Sequence, residues 1–267
     1  MRGCKMERWL VQGLIPDGSS VALMGQLHSG KAWLAEQLAV CVASGHDFLE
    51  AFHVQQQHVI LIDEDSGTAS FKRRFSRLAR GLDVDLATVP VECYSRCGFL
   101  LYDTERRGWL RSLIRQQRGA PLVIIDNLDR IMGGHDVGPI AADSPLAAFC
   151  HELRDAGCTL VVGHQTGAKR RANVEDWDMR KEARGFTVLI ECFDLALAVF
   201  RAPTAGTEFV LKPIVRESGA QVTRPFSIAL REDPEETWAR LEALDEFPEL
   251  KSTRPRVVLP QVVEPST

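Results

Sequence analysis

The sequence predicts an α/β protein with a mostly parallel central sheet flanked by helices and closed by a C-terminal β-hairpin. Three observations predict it. Short apolar runs at Val21–Met24, His58–Ile62, Leu122–Ile125 and Cys158–Val162 read as buried strands. Two of them end in acids, Asp63-Glu64-Asp65 and Asp126. Amphipathic helical patterns alternate with them, the arrangement of a parallel sheet covered on both faces.

The first strand runs into Gly25-Gln-Leu-His-Ser-Gly30-Lys31-Ala32, and a helix follows. Gly-x-x-x-x-Gly-Lys between strand and helix is a phosphate-binding loop (P-loop). Gly25 and Gly30 let the backbone bend so that N–H groups converge on a polyphosphate. The next helix turns its positive end to the same anion, and Lys31 adds a charge on a long stem. Residues Gly25, Gln26, Leu27, His28, Ser29, Gly30, Lys31, Ala32 and Trp33 are therefore the candidate nucleotide-binding set, with ATP and Mg²⁺ as the expected ligands. Ala32 stands where Ser or Thr is expected, so one hydroxyl ligand to Mg²⁺ is missing. His28 is also unusual inside such a loop.

Residues 1–20 are a lead-in whose Trp9, Leu10, Leu14 and Ile15 can cover one side of a core, with a turn signal at Pro16-Asp17-Gly18. Leu34, Leu38, Cys41 and Val42 recur at helical spacing over 31–44, and Gly45 suits the stop. Residues 68–81 place Phe71, Phe75 and Leu78 on one helical face. Lys72, Arg73, Arg74, Arg77 and Arg80 around them read as a solvated face, with a nucleic-acid or subunit contact as the alternative. Thr88–Tyr94 fits a strand and 104–117 a helix. Asp126, at the end of its buried run, can hold Mg²⁺ through water beside the phosphate loop; the plainer alternative is a cap on the next turn.

Residues 131–143 are Gly-rich and acidic, hence a loop; Ser144-Pro145 opens a helix that Gly157 ends. The strand after it closes on Gly163-His164-Gln165-Thr166, where His164 or Gln165 could touch a γ-phosphate; a merely hydrogen-bonded strand-end histidine is the alternative. Residues 167–184 mix Lys169, Arg170 and Arg171 with acids and little apolar periodicity, the pattern of a long functional loop. Leu195–Arg201 reads as a strand, and Glu208–Val215 with Pro225–Leu230 as a hairpin. The proline-rich stretch after 243 reads as a tail. The expected organisation is thus a lead-in at 1–20, one domain at 21–243 and a tail at 244–267.

Composition narrows the classes. The 267 residues are 45% hydrophobic and 25% charged, as in globular proteins with a real core. A net charge of −4 excludes a globally basic nucleic-acid binder, while leaving local basic patches open. No apolar run approaches membrane-spanning length, and Met1–Asp17 lacks the apolar core of a signal peptide. Seven cysteines without metal-type pairing suggest reduced thiols and a cytoplasmic location; Cys93 and Cys97 read as structural.

Taken together, Gly25–Lys31, Val59-Ile-Leu-Ile-Asp-Glu64-Asp65, the arginine-rich stretch ending Leu78-Ala-Arg-Gly-Leu82, Val123-Ile-Ile-Asp126-Asn-Leu and His164-Gln-Thr-Gly167 followed by a basic loop carry a resemblance. Over roughly residues 10–232 the chain resembles the RecA-type ATPase core, and more closely the RepA-like family of plasmid and phage hexameric helicases. The resemblance implies that Glu64 is the general base, Asp126 the Mg²⁺-side acid, and His164 the γ-phosphate sensor. It implies a homo-oligomeric ring, a hexamer in that family, in which Arg184, or Arg216 on the hairpin, reaches a neighbour's nucleotide. It implies that the loops 131–143 and 167–184, with Lys169, Arg170 and Arg171, grip single-stranded DNA, and that the protein is an ATP-driven helicase, translocase or replication/recombination motor. The alternative, motivated by Ala32, is a nucleotide-sensing module that recruits a partner and barely turns over.

Overall fold

The computed structural model describes residues 8–134, 145–166, 192–202, 206–215, 220–248 and 250. The chain opens with a small antiparallel pair, β1 (Trp9–Val11) and β2 (Ile15–Pro16). The main sheet then takes up β3 (Ser20–Gly25), β4 (Val59–Asp63), β5 (Val91–Ser95), β6 (Leu122–Asp126), β7 (Thr159–Gln165), β8 (Leu195–Arg201), β9 (Glu208–Val215), β10 (Phe226–Glu232) and β11 (Ala239–Ala243). Its strand order is β11-β10-β9-β8-β3-β7-β6-β4-β5. From β8 to β5 every pairing is parallel, and from β8 outward to β11 every pairing is antiparallel. The mostly parallel sheet with a C-terminal hairpin is the expected one. β11 extends that hairpin by a strand that the periodicity did not signal.

Strand alternation builds two cores. Val21, Leu23, Val59, Leu61, Leu122 and Ile124 face one side, where α1 (Lys31–Ser44) and α2 (Thr68–Gly81) pack. Ala22, Met24, Ile60, Ile62, Val123 and Ile125 face the other, under α3 (Thr104–Gln116), the short α4 (Leu128–Ile131) and α5 (Pro145–Asp155). The helix spans at 31–44, 68–81 and 104–117 thus match expectation to within a residue. α4 falls at the edge of what reads as a loop, started by Asn127, whose side chain accepts from Arg130 N.

α1 departs from the amphipathic pattern: ten of its fourteen residues are buried, Glu36 and Gln37 among them. α2 and β11 cover the face that would otherwise meet water, and the two polar residues are consequently paired. Gln37, with no exposed surface, donates from Nε2 to Leu241 O and accepts from Leu241 N at Oε1. It completes the ladder of an outer strand from the side. Beyond 243, Phe247 packs on Phe52 and Phe226 at centroid distances of 4.5 and 4.9 Å, so the chain stays on the domain there. No helix among the described residues is long and apolar enough to cross a membrane.

Gln37→Leu keeps the volume but orphans the Leu241 N–H and C=O. Each buried orphan costs about 1–3 kcal/mol. The expected outcome is a fall of several degrees in the thermal midpoint, read by circular dichroism, with protection from amide exchange lost first in β11.

Candidate nucleotide site

Parallel register brings the strand ends level. Gly25 pairs with Gln165 on one side and Val199 on the other; Asp63 pairs with Asp126 and with Ser95. The C-terminal edge of the sheet therefore carries the glycine loop and two acids in one row, at the place where open α/β sheets bind ligands. A cavity of about 370 Å³ opens there, within the range of small-molecule sites. Leu27 to Trp33 line it, together with Asp65, Arg74, Asp126, Asn127 and Gln165.

The loop itself is built as its sequence requires. Gly30 sits at φ +90 and starts α1, a left-handed conformation that side chains resist. Lys31 Nζ folds back and donates to the carbonyls of Gly25 and Gln26, at 2.9 and 2.8 Å, which ties the start of the loop to its lysine. Burial lowers the Lys31 pKa, and the negative field of Asp126 opposes that. The Ser29 hydroxyl is buried without a hydrogen-bond partner. Ala32 lies in the lining and presents no side-chain oxygen.

The acids are crowded. Asp63 is 2% exposed; its Oδ1 accepts from Asp65 N and Ser66 N, and its Oδ2 has no hydrogen-bond partner. Burial first, and Asp63 second, push the Asp126 pKa up to about 6. The capping alternative for Asp126 does not hold, because Asn127 caps α4 and leaves the Asp126 carboxylate to the cavity. Gly163 makes room for it: a Cβ there would lie 2.3 Å from Asp126 Oδ1. Among the described residues no cluster of three or more His, Cys, Asp or Glu could hold a metal alone. A divalent cation here would draw most of its ligands from phosphate and water, with Asp126 behind a water, which suits Mg²⁺.

Two positions that read as solvated turn inward. Arg74 donates from Nε to Glu36 Oε1 at 2.8 Å and from Nη2 to the same oxygen and to Ser66 Oγ, while lining the cavity. Burial pushes the Glu36 pKa up to about 8 against the pull of Arg74. Arg77 pairs with Glu232 on β10 at 2.7 Å and lies 5.4 Å over the Trp33 ring. Lys72, Arg73 and Arg80 keep to the solvent side, as expected.

Glu64 is tied to Asp126 by its main chain, Glu64 N donating to Asp126 O at 2.6 Å. Its side chain runs to the β5–α3 connection, where Oε1 accepts from Phe99 N; Asp65, rather than Glu64, is in the cavity wall. Of the strand-end pair on β7, Gln165 faces the cavity. His164 points to the α4 side, its Nδ1 3.6 Å from Asp129 Oδ1, and burial lowers its pKa, so the imidazole is neutral at pH 7. Arg184, Arg216, Lys169, Arg170 and Arg171 lie outside the described residues.

Sequence reasoning missed the hairpin's share. Arg201 at the end of β8, Thr207, Phe209 and Leu230 complete the cavity opposite the acids, and the Phe209 ring would meet a Cβ on Gly30 at 2.9 Å. Only Arg201 carried a usable signal, as a cation at the C-terminal end of a strand beside the P-loop strand.

Two measurements check this site. Gly163→Ala pushes on the Asp126 carboxylate and should weaken MgATP binding about tenfold by calorimetric titration, an overpacking cost of about one to two kcal/mol. The folded state binds the Asp126 proton more tightly than the unfolded chain does. That contribution to stability is fully present below the ordinary value of 3.8 and is lost as pH rises through about 6. The thermal midpoint of the nucleotide-free protein should therefore fall between about pH 4 and pH 6 more steeply than in Asp126→Asn.

Residues 5–171 match the family described as AAA domain, well over half of the chain. A solved structure, titled as the ATPase domain of another protein, superposes with a TM-score of 0.60 at 12% identity, covering 86% of this chain and 86% of that one. At that identity the likeness speaks for the fold, a RecA-type core. With the P-loop, the level strand ends and the paired acids in place, the chain belongs to the AAA domain family and is a P-loop ATPase by fold.

Proposed function

We propose that this protein binds ATP with Mg²⁺ and hydrolyses it as an oligomeric motor on DNA, a helicase, translocase or replication/recombination ATPase. One observation carries the reading: Lys31 and the buried acid Asp126 converge on a single cavity at the C-terminal sheet edge. In this reading Lys31 exchanges the Gly25 and Gln26 carbonyls for β- and γ-phosphate oxygens, and the N–H groups from Leu27 to Ala32 line the phosphates. Asp126 would hold the cation through water. Mg²⁺, when bound with the triphosphate, supplies neutralisation of charge on the phosphates. Glu64 orients and deprotonates the attacking water, and neutral His164 relays the state of the γ-phosphate through Asp129 and α4. Arg184 or Arg216 comes from a neighbouring subunit of a ring, and Lys169, Arg170 and Arg171 contact single-stranded DNA in its channel. The shape shared with the solved ATPase domain supports the general frame of this reading.

A second reading has its own observation. Ala32 removes a hydroxyl, and Lys31 already has two carbonyl partners. A nucleotide sensor that recruits a partner and turns over slowly fits those facts.

ATP hydrolysis stimulated by single-stranded DNA and reduced about 100-fold or more by Glu64→Gln is the outcome expected of the motor. Tight ATP binding without turnover under any DNA condition, with Ala32→Ser gaining large activity, would sink the motor and leave the sensor.

A further inference from the structure

The side chain of Glu64 is held by a turn that the reading above does not use. After β5 the chain bends through Arg96 (φ +54) and Gly98 (φ +74). The bend is fastened at both ends: Arg96 N donates to Asp63 O, and Leu101 N donates to Ile131 O, each at 2.8 Å. Arg96 also donates from its guanidinium to the carbonyls of Ser66 and Asp65, both at 2.8 Å. Phe99 and Leu101 are buried between them, in the core beneath α4 and α5. The turn is thus anchored to the end of β4 and to the segment that follows Asp126, the two elements that carry the acids of the site.

Two donors from this turn meet on one oxygen. Phe99 N donates to Glu64 Oε1 at 2.7 Å, and the Cys97 thiol donates to the same oxygen at 3.1 Å. The other oxygen, Oε2, receives no hydrogen bond among the described residues. A carboxylate pinned at one oxygen by two donors keeps one rotamer and leaves the second oxygen for a water molecule.

We propose that Cys97 is a positioning residue for ATP hydrolysis, its thiol acting with the Phe99 N–H to pin Oε1 of Glu64 in one rotamer beside the cavity wall and so leave Oε2 as the oxygen open to the attacking water. The role rests on Glu64 being the base. A thiol is a weak donor in general, but a carboxylate acceptor strengthens the bond. Burial, and then the hydrogen bond and charge of Glu64, push the Cys97 thiol up to about 11, so it stays protonated and able to donate at neutral pH. For the same reason it is a poor nucleophile, which fits a geometric role.

Loss of one hydrogen bond predicts a modest and specific defect. Cys97→Ala should lower kcat for ATP hydrolysis about 3- to 10-fold with KM for ATP unchanged. Cys97→Ser, which keeps a donor, should restore most of it, and Cys93→Ala, which removes the thiol on β5 just upstream, should match the parent. A parental kcat in Cys97→Ala, an equal loss in Cys97→Ser, or a defect expressed in KM overturns the proposal. A readout independent of turnover separates it from the base assignment. The infrared S–H stretching band that Cys97→Ala removes should move to higher frequency in Glu64→Ala. A band that stays put overturns the clamp whatever the enzyme does. A band that moves while Glu64→Gln hydrolyses ATP at the parental rate shows the contact present but the base elsewhere, and overturns the catalytic role instead.

Discussion

Parallel register is the constraint on which the rest of this molecule depends. Because β3, β7, β6 and β4 run in the same direction and end level, Gly25, Gln165, Asp126 and Asp63 arrive at one edge. Backbone hydrogen bonds set that alignment to within one residue, and side-chain alternation protects it: a slip by one would turn Val21, Leu23, Leu122 and Ile124 out of one core and into the other. The strands are buried on both faces, so register is enforced twice.

The site concentrates charge where water is scarce. Asp63 adds to the upward pressure of burial on the pKa values of both Asp126 and Glu36, and Lys31 and Arg74 are the cations among them. The partners of these cations belong to the protein itself: Lys31 leans on main-chain carbonyls, and Arg74 braces Glu36 across α1 and α2. A polyanion with a divalent cation would give both signs of charge partners at once, which is why the edge suits a nucleotide better than an isolated metal ion.

The antiparallel half of the sheet is more than an appendage. It supplies Arg201, Phe209 and Leu230 to the cavity wall, seats Glu232 against Arg77, and through Leu241 satisfies Gln37 inside α1. The helix that follows the glycine loop, α1, is thereby held from both sides, by the parallel sheet beneath it and by α2 and β11 over it.

Local signals were enough for the elements and for the glycine loop at the sheet edge. Apolar runs of strand length, helical periodicity and the Gly25–Lys31 spacing are properties of neighbouring residues, so the sequence by itself determined the fold class, the helix limits, and the strand ends that carry Lys31 and Asp126 to one cavity. It also placed Asn127 beside Asp126 without saying which of the two caps α4. The remaining decisions involve residues far apart in the chain. The inward turn of Arg74 and Arg77 depends on Glu36 and Glu232; the full burial of α1 depends on β11; the choice of Gln165 over His164 for the cavity depends on which face of β7 meets it; and the Arg201–Phe209 wall depends on the hairpin folding back beside the P-loop strand. Only the tertiary structure settles these, because burial and charge pairing are set by what packs opposite a residue, and periodicity records only which residues share a face.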